Sequence, residues 1–345
     1  MKALTLTATG GPEHLRLQDV PTPEPRAPDD VRVRVQAAAL NHLDLFVAGG
    51  LPGLTYQFPH IVGADGAGVV DACGPGATRV RPGDRVLINP GISCGACEWC
   101  GAGEQPLCPG FGILGEHRAG TLAEYVVVPE ANLAPLPPAM SWAQAAAFPL
   151  VTLTAWRMLI GRAALRPGER VLIWGIGGGV AQAALRIARL TGAVPFVTSS
   201  SDEKLERARS LGAELTINHA WGDVARVVRD HTGGRGVELV VDSVGQATWP
   251  VSLRALARHG RLVTCGGTSG PMVTLDVRKL FWYQWTILGS TMGSREDFRA
   301  ICRLALEGRL WPEVDVVLPL ARAAEGYARL AAGNQFGKVV IEVAA

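Results

Sequence analysis

The 345-residue chain predicts an α/β protein built from an antiparallel, barrel-like β domain followed by a doubly wound parallel-sheet domain. Three observations predict it. Up to about residue 130, short alternating runs (MKALTLTA, VRVRVQAAA, GVVDACG, DRVLINP, AEYVVVP) are punctuated by Pro and Gly, the pattern of half-buried antiparallel strands. From about 150 to 290, near-continuous apolar strands alternate with amphipathic helices, as they must when a parallel sheet is covered on both faces. With 48% hydrophobic and 19% charged residues, the chain has enough apolar surface to build both cores, so disorder is excluded.

Taken in order, the first domain spans 1–149 and contains a Gly- and Cys-rich lobe at 91–110. In PDDVRVRVQAAALNHLDLF a strand ends at Asn41 and a short helix begins, so Asn41, His42 and Asp44 stand where a strand gives way to a loop. The second domain spans 150–289, from RVLIWG through VPFVTS, ELTINH and VELVVDSVG to RLVTCGG, with a helix after each of the first four strands. After Ser290 the alternation breaks, and 290–345 is expected to return to the first domain. Lys and Arg number 33 against 31 Asp and Glu, with no basic run, which offers nucleic acid no footprint. No apolar stretch reaches the ~18 residues of a membrane span, and MKALTLTATG lacks a signal-peptide core. Neither membrane nor nucleic acid is expected as a partner, and a cytoplasmic location follows.

The strand RVLIW runs into Gly175, Ile176, Gly177, Gly178, Gly179, Val180 and Ala181 and then straight into a helix. That is the context of a dinucleotide fingerprint, in which bare backbone lets N–H groups at a helix start approach a pyrophosphate. The domain is therefore read as a Rossmann cofactor domain. An NAD site needs a carboxylate at the end of the next strand, but this one ends Thr198-Ser199-Ser200-Ser201. Ser199 and Ser200, with Lys204 one turn on, suit a 2′-phosphate and favour NADPH, with NADH still open. Lys204 as a plain solvated helix residue is the competing explanation.

Cys94, Cys97, Cys100 and Cys108 are spaced C-x₂-C-x₂-C-x₇-C. Such spacing places four thiolates around one ion, a closed structural zinc site with one zinc per chain. The iron–sulfur run C-x₂-C-x₂-C-x₃-C-P is the rival, since Pro109 follows Cys108, and four free thiols are the plain alternative.

Together these residues resemble the medium-chain dehydrogenase/reductase superfamily, the zinc alcohol dehydrogenases and quinone oxidoreductases, over essentially the whole length. The resemblance implies a GroES-like catalytic domain, a bilobal enzyme with its active site in the cleft between domains, a small-molecule substrate, and a homodimer or homotetramer. The Cys lobe is similar to the alcohol dehydrogenase branch, and GIGGGVA to the quinone oxidoreductase branch. The departure is at the family's catalytic zinc. Its ligand positions match Asn41, Ala64 in GADGAG and Leu150 in FPLVTLTAW, none of which binds zinc. Asp65 stands at the acid of the family's GHE motif, Asp44 keeps a supporting acid, and Leu43 replaces the relay hydroxyl. A relocated metal would draw on His42, His60, Glu116 and His117, each of which also has a plainer role as a loop hydrogen-bonder or, for His42, a coenzyme contact.

Without a metal, reducing a quinone or an α,β-unsaturated carbonyl is less demanding than oxidising an alcohol, because the developing charge delocalises and fixed donors can hold it. The expected donors are the Asn41 amide, then His42 and Tyr56, beside an apolar wall of Phe46, Trp282 and Trp285. The alternatives are a zinc-containing alcohol dehydrogenase or carbonyl reductase with an altered metal site, and a non-enzymatic NADPH-binding protein.

Overall fold

Alternate residues of Asp30–Ala39 explain the first sheet: Val31, Val33 and Val35 are fully buried, while Arg34 between them is exposed. One face thus meets the core and the other meets solvent. The computed structural model describes residues 1–344 and contains two compact units. Ala345, the last residue of the expected third segment, lies outside the described residues.

The first unit comprises Met1–Val151 and the chain from Gly293 onward. Its main sheet has seven strands, in the order Leu133–Pro135, Arg85–Ile88, Asp65–Cys73, Asp30–Ala39, Lys338–Glu342, Val314–Pro319, with Tyr125–Pro129 also paired to Asp30–Ala39. Two registers fix the site. Ala39 lies opposite Asp65 in one antiparallel pair and opposite Val340 in another. Carried two residues further, the second register sets Lys338 opposite Asn41, so three segments far apart in sequence end side by side. The turn before Asp65 requires glycine: Gly63 has φ +96°, and a Cβ there would stand 2.7 Å from Leu122 Cγ.

The second unit, Thr152–Met292, is a six-stranded parallel sheet. In chain order its strands are Arg170–Ile173, Val194–Ser199, Leu215–Asn218, Val237–Val241, Leu256–Thr264 and Thr286–Gly289. In space they run third, second, first, fourth, fifth, sixth. The order reverses direction between the first and fourth strands, where a crevice opens at the carboxyl ends. Leu172, Phe196, Val240 and Leu262 fill the centre of this core. Trp285, expected in an apolar cleft wall, belongs to this core instead, 9% exposed with its indole N–H donated to Ala257 O at 2.9 Å. An indole that finds a buried acceptor is better satisfied in a core than on a wall. Trp282 is 68% exposed on the helix Val277–Tyr283, and Phe46 is exposed on His42–Gly49. Among the described residues, no helix is long and apolar enough to cross a membrane.

Candidate functional site

In the first unit, the end of Asp30–Ala39 meets the start of Asp65–Cys73 and the start of Lys338–Glu342 in one buried polar cluster. Asn41 precedes the helix His42–Gly49, and its N–H donates to Asp44 Oδ2 at 2.7 Å, closing the first turn. The Asn41 amide donates to Ala39 O at 3.3 Å and to Asp65 Oδ2 at 3.0 Å. Lys338 Nζ donates to Asn41 Oδ1 and, at 2.9 Å, to Asp65 Oδ2. The other Asp65 oxygen accepts Leu150 N–H at 2.8 Å. Asp65 is fully buried and Lys338 is 3% exposed. An ammonium has no acceptor capacity, so the amide oxygen of Asn41 must face Lys338 and its nitrogen must face Asp65.

This geometry corrects the expectation of a free Asn41 donor. Both amide hydrogens are spent inside the chain, because a buried carboxylate and a strand-end carbonyl need them more than solvent does. The sequence reading also missed Lys338. Its one local signal is a lysine opening the strand Lys338–Glu342 ahead of the apolar run Val339, Val340 and Ile341.

Burial pushes Asp44 up to about 7, against the lowering effects of the Asn41 N–H and the Lys338 charge. Folded Asp44 thus holds its proton more tightly than unfolded Asp44, whose ordinary value is 3.8. Its contribution to stability is complete below that value and is lost as pH rises through about 7. Asp44→Asn, neutral throughout, is expected to gain on wild type in melting temperature as pH goes from 5 to 8. A difference between the two that stays constant with pH would remove Asp44 from the account.

His42, the first residue of the helix, keeps solvent access while its surroundings and the Lys338 charge lower its pKa, so its imidazole is neutral near pH 7. Tyr56 lies on the loop before His60, with ring centroids 4.9 Å apart. Its hydroxyl is buried with no hydrogen-bond partner, and burial together with Glu116 raises its pKa, so it stays protonated. Leu43 and Tyr56 pack on one apolar cluster with Val47 and Leu122. Two of the four side chains weighed for a relocated metal are engaged elsewhere: His60 Nε2 with Gly115 O at 2.9 Å, and His117 Nδ1 with Ile113 N–H at 3.3 Å. Among the described residues, three or more His, Cys, Asp or Glu ligand atoms gather in one place only, at the cysteines.

There, the sulfurs of Cys94, Cys97, Cys100 and Cys108 all lie within 4.8 Å of one another, with Cys94 and Cys108 3.5 Å apart and Cys94 and Cys100 4.0 Å apart. Thiolates at ~2.3 Å around one tetrahedral zinc are ~3.8 Å apart, so the set fits a single ion. A cluster in which each cysteine takes its own iron spreads its sulfurs wider. The N–H groups of Ala96 and Cys97 pull the Cys94 thiol down, toward the thiolate form that a metal requires, while at Cys97 the Cys100 N–H is outweighed by burial and the neighbouring thiols, which push that thiol up.

In the second unit, Gly175 turns at φ +70° and donates to Thr198 Oγ1 at 3.2 Å, and Ile176 N–H donates to Thr198 O at 2.9 Å. Gly178 N–H closes back on Gly175 O at 2.9 Å. Gly177 and Gly178 thus lead into the helix Gly179–Leu190, which no side chain caps, so the first amides, those of Gly179 and Val180 among them, remain for an anion. One turn on, Gln182 is 2% exposed with neither amide atom hydrogen-bonded in the chain, a polar group left for ligand or water. A cavity of about 640 Å³ opens beside this turn, lined by Trp174, Gly175, His219, Val244 and Thr248 among others. Its wall is braced: Trp174 Nε1 donates to Ser252 Oγ at 2.8 Å, which donates to buried Asp242 at 2.6 Å, which also accepts Val244 and Gly245 N–H. Among the expected phosphate ligands, Ser199 is 5% exposed and its hydroxyl accepts Ser201 N–H, so it shapes the loop. Ser200 is exposed and Lys204 half-buried.

Residues 27–138 match the alcohol dehydrogenase GroES-like domain, and residues 179–307 match the zinc-binding dehydrogenase domain. A quinone oxidoreductase of Pseudomonas aeruginosa is 34% identical over 99% of both chains. The chain belongs to the medium-chain dehydrogenase/reductase superfamily. It is therefore an oxidoreductase with a nicotinamide coenzyme. A solved structure titled NAD-dependent alcohol dehydrogenase is 50% identical, with a TM-score of 0.96, and covers 100% of each chain. A 2-octenoyl-CoA carboxylase reductase in complex with NADP and 2-octenoyl-CoA is 32% identical, with a TM-score of 0.92, over 99% of this chain and 87% of that one. Within this superfamily the present chain does not fit a catalytic zinc. Ala64 and Leu150 offer no ligand atom, and the Asn41 and Asp65 side chains are engaged by one another and by Lys338.

Proposed function

We propose that this medium-chain reductase transfers a hydride from NADPH to a quinone or an α,β-unsaturated carbonyl compound without a catalytic metal. The observation that carries the reading is that Ala64 and Leu150, which match the family's zinc ligands, offer no ligand atom, while Asn41 is bonded to Lys338 and Asp65. Deprotonating an alcohol from a pKa near ~16 at neutral pH costs on the order of 12 kcal/mol, which favours a Lewis acid. A conjugated acceptor spreads the incoming charge into an enolate or hydroquinone anion, which hydrogen-bond donors can hold.

NADPH, when bound, supplies the hydride. The neutral imidazole of His42 donates a hydrogen bond to the oxygen where charge gathers. The Tyr56 hydroxyl, protonated and without a partner in the chain, is the second donor and a proton source. Asn41 positions this turn rather than touching substrate. The glycine turn and the uncapped helix start support pyrophosphate binding. Ser200 and Lys204 support the phosphorylated coenzyme, because the strand ends without a carboxylate and the nearby Asp202, in the first turn of the next helix, accepts Asn218 Nδ2 at 2.7 Å. One zinc per chain, held by Cys94, Cys97, Cys100 and Cys108, completes the proposed holoenzyme. The relatives named for quinone reduction and for an NADP-bound enoyl thioester favour this reading. The alcohol dehydrogenase reading is favoured by the 50% identical structure named for that activity and by the match of residues 27–138 to the alcohol dehydrogenase GroES-like domain.

The test is steady-state turnover of a 1,4-quinone, an alkyl enone and a crotonyl thioester with NADPH, against ethanol and benzyl alcohol with NADP⁺ and NAD⁺. Reduction of one of the first three, unaffected by a chelator added just before assay, is expected. NADPH is expected to bind more tightly than NADH, with Lys204→Ala narrowing the gap. Alcohol oxidation that a chelator abolishes would replace this reading with the alternative. The exposed Phe281 and Trp282, next to the edge strand Thr286–Gly289, support a second copy of the chain as partner, and light scattering on the same preparation should give a multiple of 36.4 kDa.

A further inference from the structure

We propose that Lys338 is a positioning residue for this reaction, an internal ammonium that orders the Asn41–Asp65 pair and, through it, the turn that presents His42. The proposal rests on the reading of His42 as the group that meets the substrate oxygen.

Lys338 is 3% exposed, and lysine is among the residues least often buried, so its place needs a reason. Stability alone is a weak one, because apolar residues of similar volume replace buried ion pairs at little cost and often with a gain. What an apolar pair cannot do is fix the orientation of Asn41. With Lys338 donating to Oδ1, the amide nitrogen is committed to Asp65 and Ala39, and Asn41 N–H to Asp44. The start of the helix His42–Gly49 is thereby held from three sides, and His42 is its first residue. An amide free to flip would break the bonds to Asp65 and Lys338 and loosen that start.

The ammonium also acts on the imidazole by charge. Lys338 is the charged group that acts on His42 and lowers its pKa, in the same direction as burial. The acids packed nearby are Asp44, on the same helix, and Asp65, on the neighbouring strand, and each is held by donors of this cluster. Lys338 thus helps keep His42 in the neutral form that accepts and donates a hydrogen bond.

Lys338→Met alone leaves Asp65 buried without its counter-charge and is prone to misfold. The informative variant is therefore Lys338→Met with Asp65→Asn, which removes both charges and keeps an acceptor for Leu150 N–H. It is measured beside Lys338→Arg on zinc-loaded protein, with NADPH and an alkyl enone. The double variant is expected to keep its melting temperature within a few degrees and its NADPH affinity. Its kcat should fall about 10²-fold with KM changed less than about threefold. The His42 imidazole, followed by NMR, should titrate higher than in wild type, and Lys338→Arg should retain most of the turnover. A double variant that folds, titrates His42 as wild type does and turns over within about twofold of it overturns the proposal. Full turnover by His42→Gln brings down the reading of His42 instead, because the effect of Lys338 on the imidazole titration is measured without turnover.

Discussion

Cys100→Ser is expected to strip the protein of its zinc and to lower its melting temperature by on the order of 10 °C, with the initial rate of enone reduction per folded chain changed less than about threefold. The reason lies in how little else holds this lobe. Between Gly91 and Ile113 the regular structure amounts to two two-residue strands, the four-residue helix Glu98–Gly101 and the single turn Gln105–Leu107. Trp99 and Leu107 point outward, so few apolar contacts order the segment. A metal bound only in the folded state contributes its binding energy to folding, but a lobe that opens locally passes on just part of it. The path to the rest of the unit is visible. Gln105, 8% exposed, donates to Cys100 O at 3.2 Å and accepts Arg295 N–H at 3.1 Å, tying the lobe to the start of the helix Arg295–Leu306. Elemental analysis and thermal melts with and without chelator check this. One zinc retained in Cys100→Ser, or iron with visible absorbance in place of zinc, would overturn the assignment.

What was legible in the sequence was chemistry set by neighbours along the chain. The four cysteines lie within fifteen residues, and their sulfurs converge as the pattern requires. The glycine turn is a backbone property of a strand entering a helix, and it folds as read. The missing zinc ligands were legible too, because a position without a ligand atom needs no geometry. The active cluster was legible only in part. Lys338 meets Asn41 across a separation of 297 residues and Asp65 across 273, and it does so through strand register, which one sequence does not display. For the same reason Asn41 reads as a free donor until Asp65 and Ala39 are seen to take both its hydrogens. Ser199 turned inward because the loop after its strand needed an acceptor, and Trp285 went to the core because Ala257 O offered its indole a partner.

Asp65→Ala is expected to be the most destabilising single change in the candidate site, at about 3–5 kcal/mol, because it leaves a buried ammonium without its counter-charge. Three bonds are lost together: those from Lys338 Nζ at 2.9 Å, Asn41 Nδ2 at 3.0 Å and Leu150 N at 2.8 Å. The first is the costly one. Lys338 is 3% exposed, and with Asp65 gone it keeps Asn41 Oδ1 of the two acceptors seen here, so the ammonium must lose its proton, drag in water or move the strand Lys338–Glu342. That strand is central to the sheet, between Asp30–Ala39 and Val314–Pro319, which makes movement expensive. At roughly 2–4 °C per kcal/mol for a unit of this size, the melting temperature should drop by about 10 °C or more. Asp65→Asn, which can still accept from Leu150 but strands the same ammonium, should lose somewhat less. Adding Lys338→Met to Asp65→Ala should recover part of the loss, and that recovery separates a stranded charge from a simple cavity, which a second truncation deepens. Melts of the three variants beside wild type at pH 7 decide it. An Asp65→Ala protein within 2 °C of wild type, or a double variant less stable than the single, would mean that Asp65 is not the counter-charge of Lys338.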